Sequence, residues 1–155
     1  MTYVVIAEAE EMKLVKKFRL NDYPVIITGV GGVNVINALK DLPRDSKIIN
    51  VGYCGSNDYD VGNVCEIGDV ALFIEKCDKG NEWELNCEPL DWNLTSDEIF
   101  DVACYTSVDF VEKSKNIYGV FDMELAFIRS LFDNVSAIKV VSDKLNYEEY
   151  KENIK

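Results

Sequence analysis

Lys47-Ile48-Ile49-Asn50-Val51-Gly52-Tyr53-Cys54-Gly55-Ser56 decides the reading of this chain. Lys47–Val51 is an apolar run of strand length, and it leads directly into a glycine turn. Apolar residues on consecutive positions, rather than alternating ones, mark a strand buried on both faces. Upstream the same design occurs: Val25–Thr28 reads as a strand and opens into Thr28-Gly29-Val30-Gly31-Gly32-Val33-Asn34. Glycines there let a backbone approach a ligand, and the following helix offers free N–H groups. The spacing is neither G-x-G-x-x-G nor a Walker A loop, and a tight strand-to-helix turn explains it equally well on its own. In open α/β sheets ligands sit at the carboxyl ends of strands, so two such turns point at one crevice.

Further strand-length runs are Tyr3–Ala7, Asp69–Ile74, Val102–Tyr105, Tyr118–Phe121 and Ala137–Val141. Helical spacing falls between them at Glu10–Arg19, Val33–Leu42 and Glu124–Phe132, with a short charged helix at Tyr147–Ile154. Strands alternating with helices predict an α/β fold, a three-layer α/β/α domain with a mixed, mostly parallel central sheet. Length, 155 residues, suits one domain spanning 1–155. Glu75–Ser96 has little periodicity and reads as a long loop or a small excursion carrying Trp83 and Trp92.

Composition narrows the chemistry. With 28 Asp+Glu against 16 Lys+Arg the formal charge is −12, which disfavours a nucleic-acid or anionic-membrane partner. Zero histidines exclude a Ser-His-Asp triad, a Cys-His dyad and a His-ligated metal. Any general acid or base is therefore a carboxyl, Lys, Tyr or Cys. The five cysteines, Cys54, Cys65, Cys77, Cys87 and Cys104, are odd in number and form no C-x-x-C pair. They read as free thiols of a cytoplasmic protein. The N-terminal run has neither a basic n-region nor the length of a membrane span. Asn57-Asp58-Tyr59-Asp60-Val61-Gly62 is a faint calcium-loop pattern, better read as a solvated acidic turn. No metal or cofactor is implied.

Taken in order, several segments resemble the nucleoside phosphorylase / methylthioadenosine–S-adenosylhomocysteine nucleosidase superfamily. Ala9-Glu10-Glu11-Met12 after the first strand is similar to the family's A-M-E-E-E opening. Thr28–Asn34 is similar to G-V-G-x-V-N. Asn50–Gly55 with Ile67-Gly68-Asp69-Val70 is similar to N-x-G-x-A-G followed by G-D-V. Ser107-Val108-Asp109-Phe110-Val111 is similar to S-G-D-x-F-V. Asp122-Met123-Glu124 and Val141-Ser142-Asp143-Lys144 are similar to x-M-E-x-x-A and I-S-D-x-A. The chain is shorter than a usual member, Ser56 replaces a second glycine, and the segment after the final aspartate is short.

The resemblance implies a purine nucleosidase, cleaving the N-glycosidic bond of an adenine nucleoside of the methylthioadenosine/S-adenosylhomocysteine type. Asp143 would be the general acid at the purine and Glu124 the ribose ligand. Glu11 would be the water-activating base, and it is favoured over Glu10 because a one-residue shift also matches Leu14-Val15. Met123, Cys54 and Gly55 would lie against sugar and base, Phe110 and Val111 against the base, and Ser142 beside the acid. Read locally, Asp143 could equally be a turn or N-cap residue, Glu124 a first-turn glutamate and Glu11 a helix-surface residue. The alternatives are a reduced, non-catalytic nucleoside- or nucleotide-binding member, and a nucleoside phosphorylase. Phosphate binding wants an arginine fork, and neither Arg19, Arg44 nor Arg129 falls in a glycine turn. By analogy the chain is expected to form a homodimer or larger homo-oligomer, with Trp83 and Trp92 at the contact.

Overall fold

Strands and helices alternate along the chain in the computed structural model, which describes residues 1–73, 84–90, 98–112 and 117–155. The strands are β1 (Thr2–Ile6), β2 (Val25–Ile27), β3 (Lys47–Gly55), β4 (Val64–Leu72), β5 (Glu84–Asn86), β6 (Ile99–Thr106), β7 (Val120–Asp122) and β8 (Asn134–Asp143). The helices are α1 (Met12–Lys17), α2 (Gly32–Leu39), α3 (Leu125–Leu131) and α4 (Tyr147–Asn153), and a single 3₁₀ turn, Ala9–Glu11, precedes α1. Helix α1 stops because Arg19 is left-handed at φ 57, and Leu20 N then donates to Val15 O at 2.9 Å.

The fold is mixed α/β with a mixed sheet. β1 pairs in parallel with β2 and β3, β3 with β8, and β4 and β7 with β6. β3–β7, β4–β5 and β4–β8 are antiparallel. The expected mixed sheet is present, but in place of one central layer it curls on itself. β8 bonds β3 along its length and also returns Ile138–Val140 to Val64–Glu66 of β4. The ring β3-β7-β6-β4-β8 therefore closes into a five-stranded barrel, with β2-β1 and β5 as outer strands. Consecutive apolar residues suit a doubly covered open sheet and a filled barrel alike, so the pattern could not separate them.

β1 shows how the two faces are used. Val4 and Ile6 pack with Leu14, Val15 and Phe18 of the α1 segment, while Val5 joins the cluster of Val35, Leu39, Leu125, Ile128 and Phe132 from α2 and α3. The helices thus lie on opposite faces of β1 and bring the ends of β1, β3, β7 and β8 together. Of the two readings of Glu75–Ser96, a long loop or a small excursion, the described part fits the excursion: Asp69–Ala71 of β4 recruit β5 as a partner. Trp83 and Trp92 lie outside the described residues.

Candidate active site

A cavity of about 380 Å³ opens at those strand ends. All nine residues singled out in the sequence line it: Glu11, Cys54, Gly55, Phe110, Val111, Met123, Glu124, Ser142 and Asp143. Glu10 is exposed, whereas Glu11 is buried on the cavity.

Glu11 ends the 3₁₀ turn and reaches across the carboxyl end of β3. Its Oε1 accepts from Ala7 N at 2.8 Å and Glu8 N at 3.0 Å, and its Oε2 from Tyr53 N at 2.8 Å. Burial pushes its carboxyl up, and the Lys139 ammonium and the backbone N–H groups oppose that. The helix-surface reading of Glu11 is corrected, because a glutamate held by three backbone donors is an internal ligand.

Asp143 ends β8. Its Oδ1 accepts from Leu145 N at 2.8 Å and Asn146 N at 3.2 Å, and the Ser142 hydroxyl donates to its Oδ2 at 2.8 Å. It is 1% exposed, and burial raises its pKa against those hydrogen bonds. The cap of α4 is instead Asn146, whose Oδ1 accepts from Glu149 N at 2.9 Å.

Glu124 precedes α3 but does not cap it. Asp122 Oδ2 takes Leu125 N at 2.8 Å, which frees Glu124 to turn away and accept from Gly31 N at 2.9 Å. Gly31, at φ 90, presents that N–H from the start of α2. Burial, with Asp122 adding repulsion, pushes the Glu124 carboxyl up to about 8.

Beneath these acids lies a pair that the motifs did not reveal. Lys139 Nζ sits 3.0 Å from Asp122 Oδ2, and both side chains are fully buried. Burial alone would raise the Asp122 carboxyl, but Lys139, Thr106 Oγ1 and Leu125 N hold it below its usual range. Burial alone would lower the Lys139 ammonium, yet Asp122, Glu124 and Glu11 hold it above. A lysine inside the apolar run Ala137–Val141 was the available signal, since an unpaired ammonium cannot occupy such a strand.

Helix α4 supplies a further wall that was also missed, through Tyr147, Tyr150 and Ile154. The Phe110 ring stands 5.2 Å from that of Tyr147 and 5.5 Å from that of Tyr150. None of the three arginines lines the cavity. Arg44 pairs with Asp133 at 3.1 Å, and Arg129 donates to the carbonyls of Asn86 and Phe132. In the faint calcium loop, Lys144 Nζ donates to Tyr59 O at 2.8 Å and lies 3.9 Å from Asp60. Among the described residues no group of acidic or cysteine side chains could hold a metal ion, and no helix is long and apolar enough to cross a membrane.

No protein-family model and no curated protein matches the chain. Solved structures do. A methylthioadenosine/S-adenosylhomocysteine nucleosidase variant from Chlamydia trachomatis, bound to MTA, superposes with TM-score 0.76 at 17% identity, over 99% of this chain and 88% of that one. The nucleosidase of Neisseria meningitidis, in complex with methylthio-immucillin-A, gives 0.73 at 15% identity, over 99% and 91%. A Helicobacter pylori variant with 5′-methylthioadenosine in its active site gives 0.69 at 11% identity, over 97% and 90%. The chain thus spans most of each relative's length, and its fold is that of the methylthioadenosine/S-adenosylhomocysteine nucleosidases.

Proposed function

We propose that the protein is a purine nucleosidase that hydrolyses the N-glycosidic bond of an adenine nucleoside. The observation that carries this reading is the convergence of Glu11, Glu124 and Asp143, three buried carboxyl groups from three different elements, on one cavity. A purine anion is a poor leaving group, so the base must be protonated as the bond breaks. Asp143, whose pKa burial raises, donates that proton to the purine. Glu11 accepts a proton from water as the oxygen attacks C1′, and its carboxylate also stabilises the oxocarbenium-like centre. Glu124 binds the ribose hydroxyls. Met123, Cys54 and Gly55 pack against sugar and base, Phe110 and Val111 against the base, and Ser142 orients Asp143. One water is consumed, and free base and ribose are released.

Water is favoured over phosphate because the cavity holds no arginine fork. An adenine base is supported by the MTA and the adenine bound in the Chlamydia structures. The four buried free thiols among the described residues suit the cytoplasm. We also propose a homodimer that completes the cavity. Val30 lines the rim, and Val33 and Ile36, one turn apart on α2, stand 75% and 42% exposed beside it.

Incubation with a panel of purine nucleosides, with free base as the readout, tests the reading. Base release without added phosphate is expected. Tight nucleoside binding without release would make the chain a non-catalytic binder, and strict phosphate dependence would make it a phosphorylase.

A further inference from the structure

Glu8 lines the cavity and has no part in the reaction above. It follows β1, and its N–H donates to Glu11 Oε1 at 3.0 Å, which places it beside the sugar end of the site. Its carboxylate is half-buried: the Tyr150 hydroxyl donates to Oε2 at 2.7 Å, and the capping box with Glu11 turns the Glu11 N–H toward the same side chain, so two donors meet a group that can accept about four. Among the described residues no Lys or Arg forms an ion pair with Glu8.

Tyr150 is firmly placed. Its ring packs 5.5 Å from Phe110 and 6.0 Å from Tyr147. The helix that carries it is tied down by Asn153 Nδ2, which donates to Ser142 O at 2.7 Å, and by Lys13 Nζ, which donates to Ile154 O at 2.6 Å. Burial and the neighbouring Glu8 carboxylate push the Tyr150 phenol well above its usual range, so it remains a donor. The pair is therefore a fixed carboxylate with acceptor capacity to spare, in a cavity wall that also carries Ala7, Val30, Phe110, Lys151 and Ile154.

A nucleoside brings few polar groups to such a wall. In the proposed reaction its base belongs to Asp143, its ring hydroxyls to Glu124 and C1′ to Glu11, which leaves the 5′ substituent. We propose that Glu8, positioned by Tyr150, is a specificity residue that selects a 5′ substituent bearing a hydrogen-bond donor, a hydroxyl or an ammonium, over an apolar thioether. The inference rests on the nucleosidase reading. An apolar substituent would cover the carboxylate and leave it desolvated without a partner, which is how polar sites reject analogues lacking the matching group.

The test compares kcat/KM for adenosine and for 5′-methylthioadenosine. The wild-type protein is expected to favour adenosine at least about tenfold, the low end for a hydrogen bond to a charged group. Glu8→Leu should abolish or invert that ratio, mainly through KM. Tyr150→Phe, which keeps the ring packing, should reduce it. A wild-type preference for the thioether, or a ratio unmoved by Glu8→Leu and Tyr150→Phe, overturns the assignment. Should no base be released from either nucleoside, the nucleosidase reading fails by itself. The same ratio, read as dissociation constants by calorimetry, then decides the role of Glu8. Failure of both nucleosides to bind overturns both.

Discussion

Gly52 makes room for Glu11: a Cβ at position 52 would lie 2.7 Å from Glu11 Oε2. Gly55 stands in the same relation to Asp143, whose Oδ1 would be 2.7 Å from an added Cβ. The expected glycine turn is in fact the carboxyl end of β3, and its glycines serve less to admit a ligand's backbone contact than to let two carboxyl groups lie flat on the strand. Gly52→Ala should displace Glu11 and Gly55→Ala should displace Asp143. Each is expected to cost about 1–3 kcal/mol of stability by overpacking. Base release should fall by at least about a hundredfold, because misplacement by an ångström is that costly. Denaturant melts paired with a base-release assay check this. An alanine variant with full activity would mean that the carboxylate above it is idle.

Asp143→Asn keeps the shape of the side chain and removes the donatable proton. Turnover should drop by about 10²–10⁴-fold, the usual contribution of a general acid, while nucleoside affinity stays close to wild type. Single-turnover kinetics with a bound-ligand titration separate the two quantities. Undiminished turnover rules out Asp143 as the acid.

Glu124 carries both a binding and a stability signature. Glu124→Gln should weaken nucleoside binding more than adenine binding, by about 0.5–1.5 kcal/mol at neutral pH, since only the nucleoside offers ribose hydroxyls. Its folded pKa of about 8 stands above the ordinary 4.5. The folded state therefore keeps a proton that the unfolded chain has already released. Stability contributed by this group is full below pH 4.5 and declines as pH rises toward about 8. Calorimetry from pH 5 to 9 should show a flatter curve for Glu124→Gln than for wild type. Parallel curves would place Glu124 in water.

Lys139→Met would strand Asp122 as a buried charge without its partner, an arrangement that costs about 3–5 kcal/mol. Adding Asp122→Asn should recover much of the loss, since it removes the orphaned charge. A double variant as unstable as the single one would show that Lys139 acts through packing rather than through its charge.

Sedimentation at micromolar concentration should show a dimer, and Val33→Asp with Ile36→Asp should shift it to monomer and lower nucleoside affinity together. A wild-type monomer that hydrolyses nucleosides would remove the partner from the cavity and leave the chemistry at Asp143 untouched.

How far the sequence reveals the site depends on which residues lie close along the chain. Gly52, Gly55, Glu11, Glu124 and Asp143 each lie at or just past the carboxyl end of a strand that its own apolar run announces, so their common location could be read. Lys139 was hidden because its partner, Asp122, lies on a different strand, and only the barrel makes them neighbours. The same barrel closure depends on β8 pairing two strands at once, a register that no local pattern encodes. The wall formed by α4 was obscured for a different reason. Its Tyr147 and Tyr150 sit among charges in a helix of seven residues, and they acquire meaning only against Phe110.

The closed ring of strands also bears on behaviour at high concentration. Unpaired strand edges are templates for intermolecular pairing. By joining β3 and β4, β8 leaves every strand of the ring with neighbours on both sides, and among the described residues the path of paired strands ends at β2 and β5, which span three residues each. Pro24, which has no N–H to offer, stands immediately before β2. A sheet so rich in Val and Ile would otherwise be prone to fibrillar growth. Among the described residues the edges are too short to nucleate it, so the barrel should resist aggregation, and its strands should join fibrils only after the β8 seam has opened.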